Sequence, residues 1–270
     1  MPRLRRLGQG GADIVEVGDP DDPRLADYRA LRDADLPGAF IAEGALVVRS
    51  LLSSSYRVRS VLVTPRKLAA LADVLPSDVP VYVASRPLLK SVVGFDLHRG
   101  AVAAADRPSP AADAATVVRG ARALLVVEDV SDAENMGSLF RNAAAFGVDG
   151  VLLSPRCCDP LYRRTVRVSM GHVLHVPFAR VDAWPAAIDD VVRAAGFTVV
   201  ALTPAADAAD VAGVRVTRPA VLVGAEGPGL TDVALARADT RVRIPMRAGV
   251  DSVNVATAAA IALHRLVHAR

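Results

Sequence analysis

Short apolar segments alternate with helix-length segments through the second half of this 270-residue chain. Five apolar segments are predicted strands, at 123–127, 150–153, 198–202, 220–223 and 242–244. The stretches between and after them are predicted helices, notably at 136–146, 184–195, 231–238 and 253–268. Because the strands are apolar almost throughout, the pattern predicts an α/β fold whose mainly parallel sheet is covered by helices on both faces.

The first 105 residues carry a smaller unit of the same alternating kind. A basic segment at 1–24, rich in Gly, Asp and Pro, is expected to be a mobile arm. Behind it we predict helices at 43–53 and 67–74 and strands at 61–63 and 81–83. Turn-forming residues from 106 to 120 are typical of a linker. The sequence therefore predicts an N-terminal domain (1–105), a linker (106–120) and a larger domain (121–270).

The charge and the cysteines indicate a compartment and a class of partner. Lys67 and Lys90 are the only lysines among 32 basic residues, and the formal net charge is +3. The planar guanidinium of arginine suits phosphate groups, so this balance is compatible with an anionic partner. Adjacent cysteines, here Cys157 and Cys158, rarely bridge each other, which favours a reducing compartment. With no secretory signal and no apolar run of about 18 residues, we expect a cytoplasmic protein without a membrane segment.

Ligands of parallel sheets usually bind beyond the carboxyl ends of the strands, so the loops that follow the strands are the candidate sites. The loop after strand 123–127 leads into a helix that Asn135 is expected to cap, with Arg141 six residues further on. A capped helix with a surface arginine would explain this segment. The apolar neighbours of Arg141 instead suggest that its charge needs a partner.

Two further loops are unusual. The segment from Gly224 to Asp232 holds three glycines around Glu226 and ends on Thr231 or Asp232 as a helix cap. A plain tight turn also fits it, since it matches neither the Walker loop nor the dinucleotide fingerprint. In the last loop, Ser252 resembles an N-cap and Asn254 would follow in the first turn. An ordinary capped helix does not explain Asn254, which lowers helix propensity.

Together these segments resemble the SpoU/TrmH family of RNA ribose 2'-O-methyltransferases, within the SPOUT superfamily. The segments at 135–143, 224–230 and 244–255 are similar to the three family motifs, in the family's order and spacing. Residues 159–160 and 169–171 also fit the family pattern. Residues 40–44 and 98–103 are similar to the substrate-binding domain that often precedes the catalytic domain. The resemblance covers the chain from about Tyr28 to its end.

The resemblance implies a deep trefoil knot in the catalytic domain, a homodimer, and S-adenosylmethionine as cofactor. A knot lies outside ordinary topology rules, so it is expected from the resemblance alone. The implied cofactor-binding residues are Leu202, Gly224, Ile244, Met246 and Val253. The implied catalytic residues are Asn135, Arg141, Glu226, Ser252 and Asn254. No metal is implied.

A ribose 2'-hydroxyl is a poor nucleophile at neutral pH, so an enzyme of this kind must position the hydroxyl and assist loss of its proton. Our hypothesis gives Arg141 the main part, holding the adjacent phosphate and stabilising the developing alkoxide. A guanidinium with a pKa above about 12 is a poor proton acceptor. Asn135, Ser252 and Asn254 would orient Arg141 and the ribose. Glu226 would order its loop or pair with an arginine.

Several alternatives stay open at the level of sequence. The two-domain layout favours rRNA of the 23S type as substrate, but a tRNA ribose 2'-O-methyltransferase has the same motifs. A non-catalytic RNA-binding protein is the alternative outside enzymes. The set Cys157, Cys158, His172 and His175 lacks the usual spacing of a zinc site. The arginines at 163, 164 and 167 would contact RNA phosphate or form a solvated helix face, and Trp184 is interpreted as a core residue.

Overall fold

A computed structural model of the chain describes residues 4–6, 13–29, 31, 36, 38–95, 97, 100–109, 111–247, 249–250 and 252–268. The chain packs into two compact units. The first consists of Met1–Ser109 with Leu161–Leu174, and the second of Pro110–Pro160 with His175–Arg270. Segment 161–174 therefore leaves the second unit and belongs to the first, which the alternating pattern does not reveal.

The strands, in chain order, are β1 (Leu4–Arg6), β2 (Asp13–Glu16), β3 (Ala39–Glu43), β4 (Val58–Val63), β5 (Val81–Val83), β6 (Ala101–Asp106), β7 (Leu124–Val127), β8 (Gly150–Leu153), β9 (Phe178–Arg180), β10 (Thr198–Leu202), β11 (Ala209–Asp210), β12 (Pro219–Val223) and β13 (Thr240–Arg243). The α-helices are α1 (Ala45–Leu52), α2 (Pro65–Leu71), α3 (Arg86–Val93), α4 (Ala114–Val118), α5 (Ala133–Ala145), α6 (Arg163–Val168), α7 (Asp232–Leu235) and α8 (Val255–Leu263). Short 3-10 or π segments lie at Pro23–Tyr28, His172–Leu174, Ile188–Arg193, Val211–Gly213 and His264–His268.

The first unit is built on a mixed six-stranded sheet in the order β1-β2-β5-β4-β6-β3. Strands β2, β5 and β4 run parallel, and the outer pairs are antiparallel. The expectation of a mobile arm at 1–24 is wrong for its described part. Ile14 pairs with Val81 inside the sheet, and Leu25 and Tyr28 are fully buried. The burial of Ile14 and Val15 supplies the apolar contacts that hold this segment in place.

A buried carboxylate ties segment 161–174 into the first unit. Glu43, at the end of β3, accepts a 2.7 Å hydrogen bond from Arg163 and lies 3.7 Å from Arg167. The Arg163 guanidinium also stacks 4.8 Å above the ring of Phe95. Two of the three arginines considered for RNA phosphate are therefore held by a carboxylate in the fold.

The second unit contains a seven-stranded sheet in the order β11-β13-β10-β12-β7-β8-β9. Every pair of neighbouring strands in it is parallel. This confirms the predicted α/β class with a mainly parallel sheet. The predicted strands at 150–153 and 198–202 have the observed bounds, and the others differ by one or two residues at an end.

Both faces of the second sheet are buried, as continuous apolar strands require. Leu124 of β7 lies beside Ala220 of β12, which lies beside Val199 of β10, and all three belong to one apolar cluster. That cluster also contains Val117 of α4 and Ile188 of the π segment. The alternate strand residues are buried too, on the face where α8 packs against β12 and β10 and against α5.

Connections leave the two central strands of this sheet in opposite directions. From β7 the chain continues through α5 to β8, its neighbour on one side, whereas from β12 it continues through α7 to β13 on the other. Such a reversal opens a crevice at the carboxyl ends of the two strands, which is where open α/β sheets bind ligands. The loops after β7 and β12, both singled out from the sequence, therefore meet at the switch point.

Two predicted helix caps are wrong by a few residues. Helix α5 is capped by Asp132, whose side chain accepts from the backbone N–H groups of Glu134 and Asn135. Helix α8 is capped by Asn254 and not by Ser252. In both loops, two or more good capping residues stand within three positions, so the sequence alone does not decide between them. Thr231 does cap α7, as predicted.

Other elements differ from the prediction through short or ambiguous patterns. The predicted linker at 106–120 contains α4, and the predicted helix at 184–195 is a π segment over Ile188–Arg193. Strands β3, β6 and β9 and helices α3 and α6 were not predicted. In the part of the chain that the structure describes, no helix is both long and apolar enough to cross a bilayer.

Candidate functional site

Helix α5 begins at the carboxyl end of β7 and presents Asn135 at the switch point. The Asp132 cap fixes the first turn, since its carboxylate accepts from the backbone N–H of Asn135 at 2.8 Å. Asn135 is therefore the third residue of the helix, and its side chain is free to bond elsewhere. It is 8% exposed, so its amide needs partners from the protein.

Asn135, Glu226 and Asn254 form one hydrogen-bonded chain across the three loops. The Nδ2 of Asn135 donates to Oε2 of Glu226 at 2.8 Å, and its Oδ1 accepts from Nδ2 of Asn254 at 2.7 Å. The Oδ1 of Asn254 accepts from two backbone N–H groups at the start of α8. At one end of this chain an ionised glutamate can only accept, and at the other end the backbone N–H groups can only donate. These partners fix which way the amide groups of Asn135 and Asn254 are turned. Glu226 pairs here with an asparagine rather than an arginine.

The glycine-rich loop after β12 is closed tightly on itself. Its N–H at Gly229 donates to the carbonyl of Ala225 at 3.0 Å. A Cβ on Gly224 would lie only 2.3 Å from the carbonyl carbon of Gly229, so a side chain at that position would force the loop open. Gly227 and Gly229 have positive φ angles of 91° and 74°. The glycines thus serve a compact turn that exposes backbone to the crevice.

A cavity of about 300 Å³ opens between the loops after β10, β12 and β13. All five residues expected to contact the cofactor line it, together with Glu226, Ser252 and Asn254. The remaining lining residues are small, apolar or glycine: Thr203, Pro204, Val223, Ala225, Gly227, Gly229, Val255 and Ala258. Among the described residues, the wall therefore carries one carboxylate and no Lys, Arg or His.

Arg141 does not join this group. It lies six residues after Asn135, which turns its side chain about 240° around the helix from Asn135. The side chain is exposed, lines no part of the cavity, and has no hydrogen bond or ion pair to any residue that the structure describes. The inference that its apolar neighbours oblige it to have a partner is wrong, because those neighbours face the core while Arg141 faces water.

Two further polar residues at the switch point were missed from the sequence. Asn142, seven residues after Asn135 and so on the same side of α5, donates to the carbonyl of Ala256 at 2.7 Å and ties α5 to α8. Glu128 is 1% exposed and accepts three hydrogen bonds. The seven-residue spacing from Asn135 could have indicated that Asn142 lies on the same side of the helix. Nothing in the sequence around Glu128 indicates its role, because a single acid after a strand is common.

The loop after β8 is ordered by charge. Asp129, with a φ of 57°, accepts from the fully buried Ser154 at 2.7 Å and from Arg156. The Arg156 guanidinium holds the pKa of Asp129 below its usual range. Arg180 donates to three backbone carbonyls of this loop.

The cysteines and histidines considered for zinc are not assembled. Within the described residues, no group of three or more His, Cys, Asp or Glu side chains is arranged to hold a metal ion. Neither Cys157 nor Cys158 is in a disulfide bond, and burial raises the pKa of the Cys157 thiol. Trp184 packs against the apolar cluster of the second unit, and its indole N–H donates to Glu128 at 2.7 Å.

Comparisons with known proteins agree on one family. The model of the SpoU rRNA methylase family matches residues 122–264. An uncharacterized tRNA/rRNA methyltransferase of Mycobacterium tuberculosis is 49% identical over 267 residues, which cover 94% of this chain and 92% of the relative.

Solved structures are similar over nearly the whole chain. The AdoMet-bound rRNA methyltransferase from Sinorhizobium meliloti matches with a TM-score of 0.77 and 27% identity, covering 93% of this chain and 97% of that structure. A crystal structure described as an RNA 2'-O ribose methyltransferase matches with a TM-score of 0.73 and 25% identity, covering 93% of this chain and 97% of the other.

Proposed function

The chain belongs to the SpoU rRNA methylase family, and on that premise we propose that it methylates a ribose 2'-hydroxyl of RNA. It is an RNA methyltransferase with S-adenosylmethionine as its cofactor. The ribose target and the class of RNA are the proposal. The observation that carries it is the hydrogen-bonded chain of Asn135, Glu226 and Asn254 at the edge of an apolar cavity.

The cavity has the chemistry that this cofactor requires. S-adenosylmethionine supplies a methyl group already activated on a positively charged sulfur. Leu202, Ile244, Met246 and Val253 offer apolar surface for an adenine ring, and the backbone at Gly224 lies open to it. A wall with Glu226 as its charged side chain suits a cation better than a phosphate-bearing nucleotide. The residues present therefore fit the cofactor.

The polar residues that line the cavity, and Asn135 bonded to two of them, would orient the ribose. Asn135 and Asn254 are held by fixed partners, so they present their groups without a cost in side-chain entropy when substrate arrives. Ser252 lines the same cavity and carries a hydroxyl that can donate to or accept from a ribose oxygen. Glu226 keeps Asn135 in its orientation. These residues would hold the 2'-hydroxyl in line with the methyl group.

Arg141 would act from outside the cavity. Its exposed guanidinium offers a fork of donors that matches the phosphate next to the target ribose, and its positive charge would stabilise the developing alkoxide. Its part would be that of a hydrogen-bond donor and a positive charge, and not that of a proton acceptor. The proposal includes a homodimer, as the family resemblance implies. A partner subunit would then border the exposed face of α5 on which Arg141 lies.

The substrate is proposed to be rRNA. The similar structure from Sinorhizobium meliloti is described as an rRNA methyltransferase, and a second is described as acting on the ribose 2'-O position. The test is to incubate the protein with methyl-labelled S-adenosylmethionine and separate pools of unmodified rRNA and tRNA. We expect label in rRNA, lost in Asn135→Ala and Arg141→Ala. Label in tRNA would overturn the choice of RNA, and label in neither would overturn the enzyme activity.

A further inference from the structure

Glu128 is a buried carboxylate that lies outside the cavity. It follows β7 directly and is 1% exposed. Its Oε1 accepts from the Trp184 indole N–H at 2.7 Å and from the Thr231 hydroxyl at 2.8 Å, and its Oε2 accepts from the Thr231 backbone N–H at 2.8 Å. No described residue forms an ion pair with it. Burying a carboxylate is costly unless its oxygens are hydrogen-bonded, so these three bonds stabilise the fold beside the longer-range attraction to Arg156.

The same residue holds both ends of the glycine-rich loop. The loop leaves β12 at Val223, whose carbonyl accepts from the Glu128 backbone N–H at 2.8 Å. It ends at Thr231, which makes two bonds to the Glu128 carboxylate. Residues 224–230 between these points include five that line the cavity. Glu128, directly after the neighbouring strand, therefore fixes the distance between the two ends of the loop.

We infer that Glu128 is a positioning residue for S-adenosylmethionine binding, acting through the glycine-rich loop. The inference rests on the proposed placement of the cofactor in the cavity. With both ends held, the loop is kept in the closed turn in which Gly224 meets Gly229 and Glu226 reaches Asn135. If the bonds from Thr231 to Glu128 are lost, the loop gains conformational entropy. Cofactor binding must then order the loop, which lowers the affinity.

Trp184 makes the inference separable from a plain role in stability. Its hydrogen bond goes to the same carboxylate and to no residue of the loop, although the apolar cluster against which the indole packs includes Leu230 at the end of the loop. Trp184→Phe removes this donor and leaves both bonds to Thr231. Glu128→Ala removes all three bonds of the carboxylate, including both bonds to Thr231, and keeps the backbone N–H bond to Val223. Glu128→Gln is less informative, because an amide N–H that faces Trp184 leaves Thr231 bonded to the side chain.

The experiment is calorimetry of S-adenosylmethionine alone with the full-length protein, together with thermal melting. We expect Glu128→Ala to raise the Kd of the cofactor about tenfold, equivalent to about 1.4 kcal/mol. Trp184→Phe should lower the melting temperature, as Glu128→Ala does, yet keep the Kd within about twofold. The ratio of KM to kcat separates the roles further, since KM for the cofactor should rise while kcat at saturation changes little.

Three results would overturn the inference: a wild-type Kd in Glu128→Ala, an equal loss of affinity in both variants, or no cofactor binding by the unmodified protein. If Glu128→Ala does not fold, Thr231→Val takes its place. It removes the hydroxyl bond and should weaken cofactor binding severalfold, whereas an unchanged Kd would count against the inference. Cofactor binding without any methylation of RNA ribose would overturn the proposed function alone, because the calorimetry contains no RNA.

Discussion

Replacing Asn254 by Asp separates the structural part of this side chain from its functional part. The carboxylate can still accept from the backbone N–H groups of Ala256 and Thr257, so the N-cap of α8 survives. The carboxylate has no N–H to donate to Oδ1 of Asn135. The 2.7 Å hydrogen bond between the two side chains is therefore replaced by a contact between two acceptor oxygens. Turning the Asn135 amide over does not help, because its oxygen would then face Glu226.

The cost follows from burial. Asn135 is 8% exposed, and a buried acceptor that loses its partner costs about 1–3 kcal/mol. The negative charge of the new carboxylate at the N-terminus of α8 stabilises the helix by about 0.3–1 kcal/mol and offsets part of this cost. We therefore expect Asn254→Asp to melt only a few degrees below the unmodified protein. Asn254→Ala, which loses the cap as well at about 1 kcal/mol, should melt lower.

The functional effect should be larger than the effect on melting. If the amide chain orients the ribose, both variants lose about 10- to 100-fold in kcat/KM for RNA, which corresponds to about 1.4–2.7 kcal/mol. The assay is methyl transfer at saturating cofactor with RNA varied, alongside thermal melting of each variant. A fully active Asn254→Asp protein would show that the direction of the hydrogen bonds between Asn135 and Asn254 is irrelevant to the reaction, contrary to this expectation.

Three further predictions concern the loops and the exposed arginine. Gly224→Ala should abolish cofactor binding in calorimetry, because its Cβ would lie 2.3 Å from loop backbone; Gly213→Ala, with nothing within 4 Å, is the matched control. Arg141→Ala should fold and bind the cofactor normally yet lower kcat about 100- to 1000-fold, and a normal kcat would remove Arg141 from the mechanism. Asp129→Asn should melt below the unmodified protein at neutral pH, with the gap closing in acid. The pKa of Asp129 is lowered by Arg156, so the pair stabilises the fold above the ordinary value of 3.8 and that contribution is lost as the pH falls through the lowered pKa. A gap that stays constant in melting curves from pH 7 to acid would contradict this.

The second sheet was largely predictable because its strands are uninterrupted apolar runs. Residues 150–153 and 198–202 contain the uninterrupted apolar runs 151–153 and 199–202, and burial on both faces of a parallel sheet explains such runs. Segment 13–16 was not predictable in the same way. Its two buried residues stand among Gly, Asp and Pro, and only the pairing of Ile14 with Val81 makes them a strand.

The residue that caps a helix could not be identified from the local sequence alone. Asp132 and Asn135 are both good caps, and which one is used depends on where the chain leaves β7. At α8 the choice between Ser252 and Asn254 depends on Asn135, which lies 119 residues earlier. A local reading cannot include such a partner.

Some residues of the candidate site could be identified from the sequence and others could not. Leu202, Gly224, Ile244, Met246 and Val253 were named through the family resemblance, and they line one cavity because they follow neighbouring parallel strands. Glu128 could not be found, because its partner Thr231 is 103 residues away and one acid after a strand is unremarkable by itself. Arg141 was named, but its exposure on α5 follows from packing that no local pattern contains.

The most direct test of the central claim is the chemical position of the transferred methyl group. Unmodified rRNA would be incubated with the protein and S-adenosylmethionine carrying a deuterated methyl group, digested to nucleosides and analysed by mass spectrometry. We expect the added mass on the ribose, as a 2'-O-methyl nucleoside, and its absence with Asn135→Ala. Added mass on a base, or none with a protein that binds the cofactor, would contradict it.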